Sequence, residues 1–232
     1  MKLEKMLQSQ GFGSRRECRA LVLGGRVSLA GIVADDPEAE VLTEGCTFTV
    51  DGEAWSFCER VYLMLHKPVG FECSHQPQCH PSVFSLLPAP LRLRGVQAVG
   101  RLDEDTSGLL LFSDDGQFVH AYSSGKRQVP KVYVVTTRHP ITAALASSLL
   151  GGVVLRDDPA PVVARVCEVL GERQLRLTVT EGRYHLVRRM IAAAGNRVEA
   201  LQRSAVGAYS LPEDLPPGQW RMVAPLPPTS LA

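Results

Sequence analysis

The chain has 232 residues, of which 45% are hydrophobic and 21% are charged, and its formal net charge at pH 7 is +1. This length suffices for one large core or for a small domain joined to a larger one, and the composition is that of a soluble globular protein. No apolar run approaches the ~20 residues of a membrane-spanning helix, and the first ten residues lack the apolar segment of a signal peptide. The six cysteines contain no Cys-x-x-Cys pair, which indicates reduced thiols in a cytoplasmic protein without a membrane partner.

The near-neutral average conceals two basic segments. Residues 1–27 carry six Lys or Arg against two Glu, and residues 172–203 carry seven Arg against three Glu. Two such segments in a neutral chain indicate two places that contact an anion such as a phosphate backbone. The alternative for each segment taken alone is a solvated helix face.

The first fifty residues predict two helices and then a hairpin. An apolar repeat beginning at Leu3 predicts the first helix, and Ser14 with Glu17 forms a capping box for the second. Apolar alternation on both sides of Ala30-Gly31 predicts the hairpin, and residues 47–50 predict a further strand.

This order of elements resembles the S4 domain, a small RNA-binding module found on ribosomal and RNA-modifying proteins. The resemblance implies an S4-like domain over residues 1–52. We then expect a linker over residues 53–60 and a larger domain over residues 61–232. The resemblance assigns RNA contacts to three basic side chains of the second helix, which are Arg15, Arg16 and Arg19.

The rest of the chain predicts strands with helices at irregular intervals. The apolar or alternating segments that predict strands are 61–65, 109–112, 131–137, 162–169, 174–180 and 197–204. The segments with helical spacing are 117–123, 141–150 and 183–194. Residues 71–94 are irregular, and the proline-rich tail after Leu211 is expected to wrap the surface. We therefore predict an α+β fold with a mostly antiparallel mixed sheet flanked by helices and loops.

A charged loop lies directly before the strand at 109–112. Residues 100–108 contain one arginine, three acids, two hydroxyls and two glycines. Charges are rarely concentrated where a chain enters the interior, and loops held by a rigid strand often carry catalytic groups. On residue types alone, the alternative is a solvated turn with a weak salt bridge between Arg101 and Asp103.

The loop sequence Gly-Arg-Leu-Asp, followed after two residues by Thr-Ser-Gly-Leu-Leu, resembles the catalytic motif of pseudouridine synthases. Four further segments match that family in the same order: Lys67-Pro68, 131–133, 181–190 and 201–203. The resemblance implies that Asp103 is the catalytic residue and that Tyr133 packs on the target base. It also implies that Arg188 pairs with the aspartate and that Leu201 helps to wall the pocket.

The same resemblance implies further contacts with RNA. A stacked duplex hides the target atoms, so the base must be extruded, and Arg101 would then fill the vacated stack or hold a phosphate. The remaining basic residues assigned to RNA are Lys67, Arg183, Arg189 and Arg203. Considered singly, Tyr133 would be an ordinary strand aromatic, and Arg188 would be a solvated helix charge.

Within the family, residues 114–117, 181–185 and 194–196 are most similar to the branch that carries an S4 domain and acts on ribosomal RNA, in particular on a uridine of the small subunit. The implied partner is ribosomal RNA within an assembling small subunit, and the implied enzyme is a monomer. Conversion of uridine to pseudouridine exchanges an N1–C1′ bond for a C5–C1′ bond without redox or energy input. The chain has no nucleotide-binding glycine loop, so no cofactor is expected.

Three alternatives remain open from the sequence. The chain could be a large-subunit pseudouridine synthase or a non-catalytic ribosomal RNA-binding assembly factor. It could also be a hydrolase that uses Asp103 with Asp105 or Asp114 as a carboxylate pair, although this would explain neither basic segment.

One short loop contains four potential metal ligands, which are Cys73, His75, Cys79 and His80. Their spacing departs from the paired motifs of zinc sites, so no metal is predicted. The family resemblance instead puts this loop near the active-site face, within reach of RNA.

Overall fold

The computed structural model describes residues 1–156 and 158–228, which divide into two compact units. One unit comprises residues 1–61 and 87–97, and the other comprises residues 62–86 with the described part of 98–232. The helices are α1 (Leu3–Ser9), α2 (Arg15–Leu23), α3 (Ala89–Leu93), α4 (Gly116–Ser123), α5 (Ala143–Gly151) and α6 (Leu186–Ala193). The strands are β1 (Val27–Leu29), β2 (Ile32–Val33), β3 (Thr47–Val50), β4 (Glu53–Ser56), β5 (Tyr62–Lys67), β6 (Gln97–Val99), β7 (Thr106–Ser113), β8 (Lys131–Thr137), β9 (Val153–Leu155), β10 (Asp158–Val162), β11 (Val166–Gly171), β12 (Gln174–Val179), β13 (Val198–Val206), β14 (Tyr209–Ser210) and β15 (Trp220–Met222).

The first unit contains the predicted helices and hairpin. The capping box is confirmed, because the Ser14 side chain accepts a hydrogen bond from the Glu17 backbone and the Glu17 carboxylate accepts one from Ser14 N at 2.7 Å. A four-stranded antiparallel sheet follows in the order β2-β1-β3-β4. The buried side chains that form its core are Leu3, Met6, Leu7, Cys18, Val22, Val27, Phe48 and Val50.

The first four residues of the predicted linker over residues 53–60 form a strand. Residues 53–56 form β4, which pairs with β3 from Val50↔Glu53 to Thr47↔Ser56. The turn between the strands has positive φ at both Asp51 (53°) and Gly52 (80°), which suits a two-residue hairpin. The boundaries drawn after residues 52 and 60 stay a prediction.

The second unit is built on a nine-stranded mixed sheet, as the sequence predicts. Its main order is β11-β12-β8-β13-β7-β5-β15, while β14 pairs with β13 and β6 pairs with β7. The pairing of β13 with β7 is parallel, and the pairs β11–β12, β12–β8, β13–β8, β5–β7, β15–β5 and β13–β14 are antiparallel. The parallel pair brings the C-terminal part of the chain alongside the strand that follows the charged loop.

Gly108 permits the close approach of these two parallel strands. It lies in register with Arg203 and has φ of +113°. A Cβ atom at this position would lie 2.2 Å from the Arg203 carbonyl oxygen, which is far inside van der Waals contact. The second glycine of the charged segment is therefore required by the packing of β7 against β13.

Hydrophobic clusters of described residues cover the sheet of the second unit, and two of them flank the cleft-forming strands. One combines α5 and α6 with strands β8, β12 and β13, and its fully buried members include Leu149, Leu175 and Met190. The other combines α4 with β5 and β7, and it contains the aromatic side chains Phe118, Tyr122 and Tyr209.

The sequence missed several short strands. Residues 162–169 do not form one strand, because β10 ends at Val162 and β11 begins at Val166. Strand β15 lies within the proline-rich tail and pairs with β5 at one edge of the sheet. Prolines near such edges mask the strand pattern in the sequence. Among the described residues, none of the helices has the length and apolar character needed to cross a bilayer.

Candidate active site

Lys67 fixes the charged loop from inside the protein. It is the last residue of β5 and is 0% exposed, and its Nζ lies within hydrogen-bond distance of four carbonyl oxygens. These belong to Thr106 (2.9 Å), Asp103 and Pro68 (3.0 Å each) and Glu104 (3.2 Å). Burial lowers the pKa of Lys67, and the nearby acidic groups oppose that shift. The expected RNA contact of Lys67 is contradicted, because the ammonium group has no solvent-accessible surface.

Asp103 has its backbone anchored by Lys67 and its carboxylate turned towards another partner. Asp103 Oδ1 lies 3.3 Å from His185 Nε2, and both side chains are about one-third exposed. His185 immediately precedes α6 in a left-handed conformation, with φ of +49°, and its ring stacks on Tyr184 at a centroid distance of 3.7 Å. The sequence did not predict this contact, although His185 lies in one of the matched segments.

The expected pairing of Arg188 with Asp103 is contradicted in this structure. Arg188 Nη2 lies 2.9 Å from the Asp105 carboxylate and donates a further hydrogen bond to the Asp105 carbonyl oxygen at 3.3 Å. Arg188 projects from the first turn of α6 towards the loop, so its general position is as expected. The sequence motif cannot distinguish two aspartates that are only two residues apart in one loop.

A cleft of about 870 Å³ opens beside this loop. The charged, aromatic and apolar side chains that line it include Arg101, Asp103, Lys131, Tyr133, His185, Leu201 and Arg203. This volume lies in the upper part of the ~300–1,000 Å³ range of small-molecule sites. The family resemblance places five side chains in or beside the pocket, and all of them except Arg188 border this cleft: Asp103, Tyr133, Leu201 and Arg101.

Strand register explains which side chains share the floor of the cleft. Tyr133 of β8 lies opposite Arg203 of β13, and Leu201 lies opposite Thr106 at the start of β7. Side chains two positions apart lie on the same face of a strand, so Lys131 accompanies Tyr133 and Leu201 accompanies Arg203. The carboxylate loop is thus at the Leu201 end, and Lys131 is at the other.

Two cations lie within this floor. Arg203 is 2% exposed and donates from Nε to the Leu109 carbonyl oxygen at 2.9 Å. Lys131 donates to the Val129 carbonyl oxygen at 3.0 Å. Burial, together with the charge of Arg203, lowers the pKa of Lys131 to about 8. The sequence assigned Arg203 to RNA but missed Lys131, which the two-residue spacing from Tyr133 would have revealed.

The other basic residues of the second unit differ in their surroundings. Arg101 is exposed at the margin of the cleft. Arg183 forms ion pairs with Glu181, at 2.6 Å, and with Asp158. Arg189 donates to the Tyr184 carbonyl oxygen at 3.2 Å.

The basic side chains of α2 are divided between internal ion pairs and solvent. Arg15 and Arg19 lie 2.5 and 3.2 Å from the carboxylate of Glu4, which is 1% exposed. These contacts, the hydrogen bond from Arg15 above all, lower the pKa of Glu4. Arg15 retains 66% and Arg19 47% of its side-chain surface, and Arg16 is also exposed. All three thus remain accessible to a phosphate backbone.

The loop with four potential metal ligands is organised around Glu72. The Glu72 carboxylate accepts hydrogen bonds from the backbone N–H groups of Cys79 at 2.8 Å and His80 at 2.9 Å. Cys73 accepts one from Leu102 N at 3.4 Å, and burial raises the pKa of its thiol. No group of three or more His, Cys, Asp or Glu within residues 1–156 and 158–228 is arranged to hold a metal ion.

Comparison with known proteins identifies the family. Residues 61–193 match the model of the RNA pseudouridylate synthase family, and residues 1–45 match that of the S4 domain. The chain belongs to the RNA pseudouridylate synthase family.

Its relatives extend over almost the full chain. It is 37% identical over 227 residues to ribosomal small subunit pseudouridine synthase A of Yersinia pestis, covering 95% of this chain and 94% of the relative. It is 37% identical over 226 residues, with the same coverage, to an uncharacterized RNA pseudouridine synthase of Bacillus subtilis strain 168. A crystal structure of a pseudouridylate synthase superposes with a TM-score of 0.68 at 31% identity, covering 97% of this chain and 96% of that one. The predicted family, the S4 domain and the α+β fold are thereby confirmed.

Proposed function

We propose that this enzyme converts one uridine of small-subunit ribosomal RNA to pseudouridine, with Asp103 as the catalytic carboxylate. The observation that carries the proposal is the position of Asp103, which borders the same cleft as Tyr133 and Leu201. The small-subunit substrate is inferred from relatives that bear that name and match 95% of this chain.

Asp103 meets the chemical requirements of the role. Its carboxylate is one-third exposed at the cleft, while Lys67 fixes the Asp103 carbonyl oxygen. An ionised carboxylate can attack the sugar or base covalently, or it can abstract a proton. His185 Nε2, which lies 3.3 Å from Asp103 Oδ1, helps to position the carboxylate.

The aromatic and aliphatic side chains supply a place for an extruded base. Tyr133 and Leu201 lie on neighbouring strands, on one face of the sheet. A base taken out of its stack regains stacking energy on an aromatic ring, and such a contact contributes about 1–3 kcal/mol. Arg101, exposed beside the loop, is suited to the vacated stack or to a neighbouring phosphate.

Arg188 would act on the loop rather than directly on Asp103. Its ion pair with Asp105 and its bond to the Asp105 carbonyl oxygen connect α6 to the residue two positions after Asp103. We expect its loss to displace the loop, whereas loss of the neighbouring Arg189 should leave the loop in place.

The first unit, which contains the S4 domain, would hold the RNA. The exposed surfaces of Arg15, Arg16 and Arg19 form one basic helix face suited to phosphates. We infer that the enzyme acts as a monomer on an assembling small subunit.

The test is to incubate the enzyme with unmodified small-subunit ribosomal RNA, free and as an assembling particle, and to map pseudouridine at single-nucleotide resolution. The expected result is one new pseudouridine that is absent with Asp103→Asn and present with Glu104→Gln, which removes a neighbouring exposed acid. Retained turnover by Asp103→Asn would end the catalytic assignment. Tight binding without modification would instead favour an assembly factor. Modification of large-subunit RNA alone would show that the substrate is large-subunit ribosomal RNA.

A further inference from the structure

The cleft contains two cations, the buried Arg203 and the half-buried Lys131, that the proposed chemistry at Asp103 does not use. Lys131 lines the end of the floor away from the charged loop, and Arg203 lies next to it, opposite Tyr133. Within residues 1–156 and 158–228, no carboxylate forms an ion pair with either side chain. Two like charges held together in a partly dehydrated site are unfavourable unless an anion neutralises them.

Arg203 retains hydrogen-bonding capacity after its contacts with the protein. Its Nε donates to Leu109, whereas Nη2 is buried without a hydrogen-bond partner in the described part of the chain. An unpaired buried donor on a charged group is costly, and most such groups in folded proteins have a partner. The guanidinium also has the planar donor geometry that suits phosphate oxygens.

Lys131 adds a second donor beside it. Among the described residues its Nζ bonds only to the Val129 carbonyl oxygen, so two of its three N–H donors remain available. The lowered pKa of Lys131 reflects both burial and the repulsion from Arg203, and a bound anion would relieve that repulsion.

We propose that Lys131 and Arg203 form a subsite for a phosphodiester group of the RNA, next to the nucleotide whose base lies on Tyr133. This inference rests on the proposed function, because it assumes that an RNA strand occupies the cleft.

The position and the openness of this end of the cleft favour a phosphate over the base itself. Ser123, Gly125 and Gln128 line the cleft here and are exposed, so a strand can continue past the cations into solvent. The aliphatic surface of Leu201 lies beside the loop that carries Asp103, and the ring of Tyr133 lies on the floor between Leu201 and Lys131. A cleft of about 870 Å³ also has room for more than one uracil ring.

The test combines an enzyme variant with a change in the RNA. Lys131→Met removes the charge at similar side-chain length, and Lys131→Arg retains it. Lys126→Met removes an exposed lysine five residues away and is the matched control. The RNA carries one uncharged methylphosphonate linkage, placed on either side of the target uridine in turn, and the 2′-hydroxyl beside that linkage is protected as a 2′-O-methyl group. A control RNA carries the same 2′-O-methyl group but has ordinary phosphates.

We expect Lys131→Met to weaken the affinity for the control RNA about 10- to 100-fold, as for loss of a hydrogen bond to a charged group. Lys131→Arg should restore most of this loss, and Lys126→Met should change the affinity less than threefold. When the methylphosphonate replaces one of the two linkages, Lys131→Met should weaken the affinity for that RNA less than twofold. An unchanged loss at both linkages would overturn the phosphate subsite and would assign Lys131 to the base.

A second measurement separates this inference from the proposed function. Calorimetry with uridine, 5′-uridine monophosphate and 3′-uridine monophosphate requires no turnover. Tighter binding of a monophosphate than of uridine by the wild type, lost in Lys131→Met, would support the subsite even if no pseudouridine were formed. If the enzyme forms pseudouridine but binds uridine and the two monophosphates equally well, the phosphate subsite would be rejected and the proposed function would stand.

Discussion

Replacement of Lys67 by Met tests whether this lysine organises the active-site loop or binds RNA. The ammonium group has no exposed surface and lies 2.9–3.2 Å from four carbonyl oxygens, three of which belong to residues 103–106. Methionine fills a similar volume without donating hydrogen bonds. The loop carbonyl oxygens would then lose a partner that water cannot readily replace.

The magnitude follows from these contacts. A buried acceptor left without its donor costs about 1–3 kcal/mol, so loss of a lysine that serves four carbonyl oxygens is expected to cost about 3–5 kcal/mol in total. For a chain of this size each kcal/mol lowers the melting temperature by roughly 2–4 °C, so the expected fall is about 6–20 °C. A loop displaced by about 1 Å would slow the reaction by about 100-fold.

The assay measures urea unfolding, single-turnover formation of pseudouridine and RNA affinity on the same preparation. We expect a large loss of stability and rate with RNA affinity changed less than twofold, since Lys67 offers no surface to RNA. Lys126→Met, at an exposed position, should change stability by less than about 0.5 kcal/mol. A Lys67→Met protein with normal stability and rate but tenfold weaker RNA binding would refute the reasoning.

Three further outcomes are expected from the geometry. Gly108→Ala should destabilise the protein by about 2–4 kcal/mol in urea unfolding, because its Cβ would lie 2.2 Å from a backbone oxygen. Gly116→Ala, whose Cβ would meet no atom within 4 Å, should be neutral or stabilising by up to about 1 kcal/mol. Equal effects of the two substitutions would contradict the packing argument. Lys131→Met should unfold at a higher temperature than the wild type below pH 8. Its advantage should decline between pH 8 and 10.5, because the unfolded wild-type chain there binds a proton that the folded chain has lost; a pH-independent difference would exclude this linkage. His185→Gln should lower the single-turnover rate at least fivefold with little change in RNA affinity, and an unchanged rate would show that its contact with Asp103 is incidental.

Much of the fold was predictable because local signals agree with the final packing. The Ser14 capping box, the hairpin at Ala30-Gly31 and the strand at 131–137 each depend on a few adjacent residues, and the structure contains all three. The strand β15 could not be predicted, because its pairing with β5 joins segments far apart in sequence. A proline-rich segment has no local signal for such a pairing.

The site was predictable as a set of segments and less so as a set of contacts. Asp103, Tyr133 and Leu201, which the motifs predict to share a site, border one cleft. It gave the wrong partner for Arg188 and the wrong role for Lys67, since a motif records which residue types recur and not which atoms meet. Whether Lys67 faces solvent or four carbonyl oxygens depends on the pairing of β5 with β7, which places Lys67 opposite Gly108 and which no local pattern contains.

The cleft of the second unit has the Asp103 loop at one end of its floor and Lys131 at the other. The loop with Asp103 is fixed through its backbone, so its carboxylates are left for partners in and around the cleft. Lys131 and the neighbouring Arg203 are held in a partly dehydrated site, an unfavourable arrangement that lowers the stability of the free protein. Unfavourable groups of this kind persist where function requires them, and replacing them often stabilises a protein while reducing its activity. Lys131→Met should therefore be more stable and bind RNA less well, and a variant that lost both stability and RNA affinity would show that the lysine serves the fold.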